Sequence, residues 1–203
     1  MSTKEKILKA ALQLFNKHGI ARITVRDIAQ EIGISHGNLC YHYPNTNDII
    51  SALYDELSKK VNDMLDELQP DENVFQTHTN AIRTIFTLAY KYRFFYLHFI
   101  EITQRLPALK KKHYELIEQR KTQVRYFFDV LRQHDLFRMD LSLEQYELLI
   151  MHCFLYGDFW ISGSEIMYEG AASKKIDFYV NGYLALFMPY LTEKGKKLAA
   201  LIT

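Results

Sequence analysis

The sequence predicts an all-α protein: a three-helix N-terminal head with a helix-turn-helix corner, joined through a long fourth helix to a larger helical body. Three observations carry this. Apolar residues recur at three- and four-residue spacing through most of the 203 residues, and no alternating run survives more than a few positions. Residues 24–43, TVRDIAQEIGISHGNLCYHY, read as two short helices meeting at a glycine. Pro44, Pro70, Pro107 and Pro189 all fall where one periodic stretch gives way to the next.

The first helix opens with Ser2 and Glu5, a capping box, and buries Ile7, Leu8, Ala11, Leu12 and Phe15 before stopping at Gly19. In the second, Thr24 is the cap, and Val25, Ile28, Ala29 and Ile32 fall on one face. Gly33 follows, where a left-handed residue ends a helix at least cost. Ser35 then caps a third helix, and Ile34 packs on Leu39 as a hydrophobic staple. At about 100° per residue, Leu39 and Tyr43 point inward, Gly37, Asn38 and Tyr41 outward, and His36, Cys40 and His42 lie on the flanks. The outward face suits DNA. Gly37 permits close approach, Asn38 can both donate to and accept from a base edge, and Tyr41 and His42 can donate to phosphate.

After Pro44, Asn45 or Thr46 caps a fourth helix in which Ile49, Ile50, Leu53, Leu57, Val61 and Leu65 recur up to Pro70. It is long enough to serve as a lever between head and body. Two helices are expected in residues 74–106, with a join near Lys91–Arg93, then one from Ala108 to about His134. Ser142 and Gln145 form a capping box for a helix over 143–161. A loop from Ser162 leads to a last long helix, 175–188, and a short one after Pro189. The domain boundary is placed at 46/47: residues 1–46 as the DNA-binding head, 47–203 as the ligand-binding and dimerisation domain.

Residues 4–54 resemble the N-terminal domain of the TetR family of bacterial transcriptional regulators. The resemblance is carried by ILKAALQLFNKHG, by TVRDIAQEIGIS and by GNLCYHYP leading into a long fourth helix. It implies that residues 35–43 form a recognition helix capped by Ser35, with His36, Gly37, Asn38, Tyr41 and His42 facing the major groove and its phosphates. Thr24 and the start of the fourth helix, at Thr46, are implied phosphate contacts, and the basic Arg26 is a further candidate. His36 stands where the family often has lysine, Cys40 where tyrosine is common, and Thr46 where a lysine often grips phosphate. Weaker and more pH-dependent backbone affinity is expected from these departures.

Bulk properties agree. Net charge is only +1, yet residues 1–46 hold six Lys or Arg against three acids, the sign expected of a DNA-facing segment. No stretch of about 20 apolar residues and no signal-peptide core occurs, so a soluble cytoplasmic protein is expected, with no membrane role. The two cysteines, Cys40 and Cys153, have neither CxxC nor metal-site spacing. His36 and Cys40 lie four apart on one helix without a third ligand, so no metal is expected; a redox role for Cys40 stays open. Neither G-x-S-x-G, H-E-x-x-H nor a glycine-rich phosphate loop appears. No cofactor and no catalysis is expected.

Of 28 aromatic residues, 23 lie between Phe86 and Tyr190. They serve either as plain core or as the lining of a cavity for a hydrophobic or aromatic effector. The candidate ligand contacts are Phe86, Tyr90, Phe94, His98, Glu101, Tyr126, His152, Tyr156, Phe159 and Trp160. The helices 143–161 and 175–188 are apolar nearly all round. In the former, Tyr146, Ile150, Cys153, Gly157 and Trp160 make one stripe, and Leu148, Met151, Leu155 and Phe159 another. The second stripe is covered either by the rest of the chain or by a second copy; the resemblance implies a homodimer through these two helices. The expected function is a ligand-responsive transcriptional repressor released from a near-palindromic operator. The alternatives are a helical interaction module or an enzyme that does not bind DNA.

Overall fold

The computed structural model describes residues 1–67 and 74–200, and over these the regular structure is helical. The only β-type pairing among the described residues is an isolated antiparallel bridge between Phe137 and Leu191. The chain divides into two compact units. Met1–Asp63 with Leu88–Lys110 form the first; Met64–Thr87 and the chain from Lys111 onward form the second.

In the first unit, α1 (Thr3–His18) starts at the Ser2/Glu5 capping box: the Glu5 N–H donates to Ser2 Oγ at 3.3 Å and the Ser2 N–H to Glu5 Oε2 at 2.7 Å. Its Ile7, Ala10, Ala11 and Phe15 are buried. α2 (Val25–Glu31) and α3 (His36–His42) follow from their own caps, Thr24 and Ser35. Gly33 lies between them at φ +68°, and the Ile34 N–H closes the corner by donating to the Ala29 carbonyl at 3.0 Å. α4 (Thr46–Asp66) is capped by Asn45, whose Oδ1 accepts from the N–H of Asn47 at 2.8 Å and of Asp48 at 3.1 Å. Its Ile49, Ile50, Leu53, Tyr54 and Leu57 are buried. The expected stop at Pro70 lies outside the described residues.

α5 (Val74–Lys91) is followed by α6 (Arg93–Leu97) and α7 (Phe99–Arg105), so residues 74–106 contain three helices rather than the two expected. At the first break, Asn16 of α1 serves both loose ends: its Nδ2 donates to the Lys91 carbonyl at 2.8 Å, and its Oδ1 accepts from the Phe94 N–H at 3.0 Å. A side chain inserted into the ladder is a known cause of such a break. The second comes at His98 (φ −113°, ψ 22°), whose ring lies over Gly19 and whose Nδ1 is 3.4 Å from Glu101. Leu106 leaves the helical region (φ −126°, ψ 79°), as a following proline favours, and Pro107 opens α8 (Pro107–Gln133), where its missing N–H costs nothing.

In the second unit, α8 ends at Gln133 and the chain turns at Asp135, left-handed at φ +62°, before α9 (Leu143–Met167) begins at the Ser142/Gln145 box. α9 runs six residues past the expected end. Its buried Ser164 hydroxyl donates to the Ile161 carbonyl at 2.8 Å, so the serine and glycine that read as a loop are absorbed into a packed helix. α10 (Lys175–Ala185) ends three residues before the expected 188, because Phe187 turns inward and a 3-10 turn, Met188–Tyr190, takes in Pro189. α11 (Glu193–Ala199) docks on the end of α8: the Thr192 N–H and hydroxyl donate to the carbonyls of Leu136 at 3.0 Å and Asp135 at 2.7 Å.

Candidate functional site

The α2–α3 corner fixes a short helix by its inner face and leaves its outer face to solvent. Leu39 is fully buried, whereas His36, Gly37 and Asn38 are exposed and Tyr41 is 85% exposed. His42 is half-buried, with the Tyr41 ring edge-on at 5.2 Å. Ser35 is occupied as a cap, its Oγ accepting from the Asn38 N–H at 3.2 Å, which leaves the Asn38 amide side chain to the outer surface. Thr24 is likewise engaged: its hydroxyl donates to Asp27 Oδ2 at 2.6 Å and accepts from the Asp27 N–H at 3.3 Å. The hydroxyl's bond to the carboxylate, with a second from the Thr24 N–H at 2.8 Å, holds the Asp27 carboxyl below its ordinary pKa. Arg26 is exposed on the first turn of α2.

Cys40 Sγ lies 3.3 Å from His36 Nε2, one turn along α3. Both cysteines are free thiols, and among the described residues no group of three or more His, Cys, Asp or Glu is placed to hold a metal. At the start of α4, Thr46 Oγ1 accepts from Arg105 Nη2 at 3.2 Å. A cation from α7 thus stands beside the position where the sequence itself supplies none. Sequence reasoning missed Arg105, since 59 residues separate the pair.

The aromatic side chains fall into two groups. Phe86, Tyr156 and Trp160 come together in the second unit: Phe86 stacks on Trp160 at 5.0 Å and 5°, Tyr156 lies 6.4 Å from Phe86, and Tyr179 and Tyr183 close the cluster. Burial pushes Tyr156 up to about 12 and the Cys153 thiol beside Tyr183 up to about 11. Tyr126 is 71% exposed, His152 is exposed and Phe159 is on the surface of α9. Tyr90, Phe94, His98 and Glu101 belong to the first unit, where Phe94 packs on Phe15 at 5.3 Å.

Beside the cluster is a groove of about 200 Å³, lined by Phe75 and Thr79 of α5, Asn181, Leu184 and Ala185 of α10, Phe187 and Met188 after it, and Ala199 of α11. None of these was singled out in the sequence. Aromatic density was the signal followed there, and the groove is built largely from aliphatic and small residues at helix ends. On α9 the two stripes separate as their spacing requires. Tyr146, Ile150, Cys153 and Trp160 are buried, while Leu148, Met151, Leu155 and Phe159 are 41–49% exposed, as is Phe178 of neighbouring α10 at 59%.

A capped corner that offers a polar reading helix, together with a larger helical unit holding an aromatic cluster and an apolar groove, defines the class of helical regulators that pair a DNA-reading head with a ligand-binding body. Comparison with known proteins makes this specific. Residues 7–53 match the family described as "Bacterial regulatory proteins, tetR family", and residues 56–198 the family "TetR: Bacterial transcriptional repressor". The protein belongs to the TetR family of bacterial transcriptional regulators. The probable HTH-type transcriptional regulator ArpR of Pseudomonas putida is 34% identical over 74 residues, 34% of this chain and 35% of that one. The chain thus matches about a third or less of the length of the first curated relatives. The repressor KstR2 of Mycobacterium tuberculosis is 24% identical over 205 residues, 96% of this chain and 95% of its own. A TetR-family regulator from Marinobacter aquaeolei VT8 superposes with a TM-score of 0.87 at 26% identity, over 100% of this chain and 98% of its own. These relatives are transcriptional regulators rather than enzymes.

Proposed function

We propose that the protein is a dimeric transcriptional repressor whose two α3 helices read the half-sites of a near-palindromic operator and release it when an effector binds the second unit. The observation that carries the reading is the two-faced α3: Leu39 wholly buried, Asn38 and Tyr41 turned to solvent on the opposite side. Within it, His36, Gly37, Asn38, Tyr41 and His42 meet the major groove and its edges, and Ser35 holds the helix start. Thr24, Arg26 and Thr46 lie along the phosphates, and the Arg105 guanidinium at Thr46 supplies the charge there.

The exposed stripe Leu148, Met151, Leu155 and Phe159, with Phe178, is the seam between two copies; four large apolar side chains in a row on one helix are what a partner covers. The effector occupies the groove in the second unit, with the aromatic cluster of Phe86, Tyr156 and Trp160 behind it. An apolar ligand accords with two relatives, one described as a ketosteroid transcriptional regulator and one as a fatty acid degradation regulator. In this scheme the protein binds rather than catalyses, acts in the cytoplasm where the DNA is, and switches through α4, which begins at the reading head.

The test is binding of Asn38→Ala and Tyr41→Ala to a selected operator. Each should lose roughly 10- to 100-fold in specific affinity, the discrimination of a good base contact, with no change in thermal midpoint. Unchanged affinity would remove α3 as the reading element.

A further inference from the structure

Among the described residues of the second unit, a few buried polar atoms have no hydrogen-bond partner, Arg132 Nε and His78 Nε2 among them, and the histidine nitrogen is the one set among aromatic rings. His78 Nε2 on α5 is buried and has no hydrogen-bond partner. The ring around it is held firmly. It stacks on Phe127 at 3.7 Å and 9°, meets Phe187 edge-on at 5.8 Å, and faces Tyr183 at 6.2 Å. Buried nitrogens in native proteins are nearly always satisfied, so an orphan set among aromatic rings calls for something to satisfy it.

Residues around His78 line the groove. Phe75, one turn before His78, and Thr79, the next residue, both line it, and the third neighbouring wall is Phe187, the ring against His78. Phe187 sits between the end of α10 and the 3-10 turn Met188–Tyr190, so no long helix fixes its backbone on the far side. Phe187 also packs on Phe127, Phe128 and Tyr183, so a molecule in the groove reaches the nitrogen only if this ring turns.

The chemistry of the walls sets the class of molecule. Among the described residues, Thr79 and Asn181 are the polar ones of the lining and none of it is charged. A carboxylate or ammonium would therefore be desolvated without a counter-ion. The imidazole does not supply one, because burial brings its pKa down to about 3. A hydroxyl both donates and accepts, so it satisfies Nε2 in either tautomer.

We infer that the effector is an uncharged, apolar molecule bearing a hydroxyl, which fills the groove and hydrogen-bonds His78 Nε2. This rests on the effector reading above. The probes are 2-naphthol, naphthalene and 2-naphthoate, titrated calorimetrically into the full-length protein and into His78→Phe, His78→Leu and Ala185→Trp. The wild type should bind 2-naphthol on the order of tenfold tighter than naphthalene, the worth of one rescued buried hydrogen bond, and should bind 2-naphthoate least. Both His78 variants should bind 2-naphthol and naphthalene alike, and Ala185→Trp, which fills the groove, should bind neither. A hydroxyl preference that survives in His78→Phe and His78→Leu, or is absent from the wild type, overturns the role of His78 and leaves the effector site standing. Failure of the folded wild type to bind either neutral probe overturns the groove as effector site, and this inference with it.

Discussion

Replacing His78 by phenylalanine keeps a flat ring against Phe127 and removes a group whose ionisation the core opposes. Burial lowers the His78 pKa from 6.5 to about 3. Between these values the unfolded chain takes up a proton that the folded chain refuses. The stability contributed by the neutral ring is thus complete above pH 6.5 and is lost as pH falls toward 3. At pH 5 the loss is about 2 kcal/mol, from 1.5 units at about 1.36 kcal/mol each. The figure barely depends on the folded value so long as that lies below about 4.

Urea unfolding of wild type and His78→Phe at pH 8 and pH 5, at one protomer concentration because the proposed dimer couples stability to mass action, isolates the term. The other seven histidines cancel in the comparison. The wild type should lose about 2 kcal/mol more than the variant between the two pH values. Equal losses would mean that the imidazole is solvated or paired in the folded protein, and would remove the physical basis of the buried, unsatisfied nitrogen.

Three further outcomes follow from the geometry. Arg105→Gln should leave the fold intact and flatten the salt dependence of operator binding by about 1 unit of slope per protomer; an unchanged slope in a salt titration would confine Arg105 to its bond with Thr46. Leu155→Glu or Phe159→Glu, each placing a charge in the exposed stripe of α9, should shift sedimentation from dimer to monomer at micromolar concentration, and a persistent dimer would place the seam elsewhere. Gly182→Ala puts a methyl where the Tyr156 hydroxyl now lies, so it should cost about 1–3 kcal/mol in urea unfolding; a neutral result would show that Tyr156 has room to turn away.

What could be read from the sequence was what local chemistry decides. Ser2, Thr24, Ser35 and Ser142 cap helices because each needs only a backbone N–H two or three residues away, and Gly33 ends α2 because the corner requires a positive φ. The two stripes of α9 were likewise visible, since helical period alone separates Tyr146 and Ile150 from Leu148 and Leu155. Long-range chemistry stayed hidden. Asn16 breaks the chain after Lys91, 75 residues away, and Arg105 reaches Thr46 across 59; neither has a local signature. The aromatic residues looked like one lining because they are dense in the chain, yet folding sends Phe94 to one unit and Phe86 to the other. His78 lies in an ordinary amphipathic stretch, and only packing shows that its nitrogen meets nothing.

The central claim is that a symmetric pair of α3 helices reads DNA, and the most direct measurement is selection of bound duplexes from a random pool, followed by a salt titration on the enriched sequence. The account predicts an inverted repeat with half-sites one or more helical turns apart and a steep fall of log affinity with log salt. A folded protein that enriches no motif at low salt, or one that binds all duplexes alike, would contradict it.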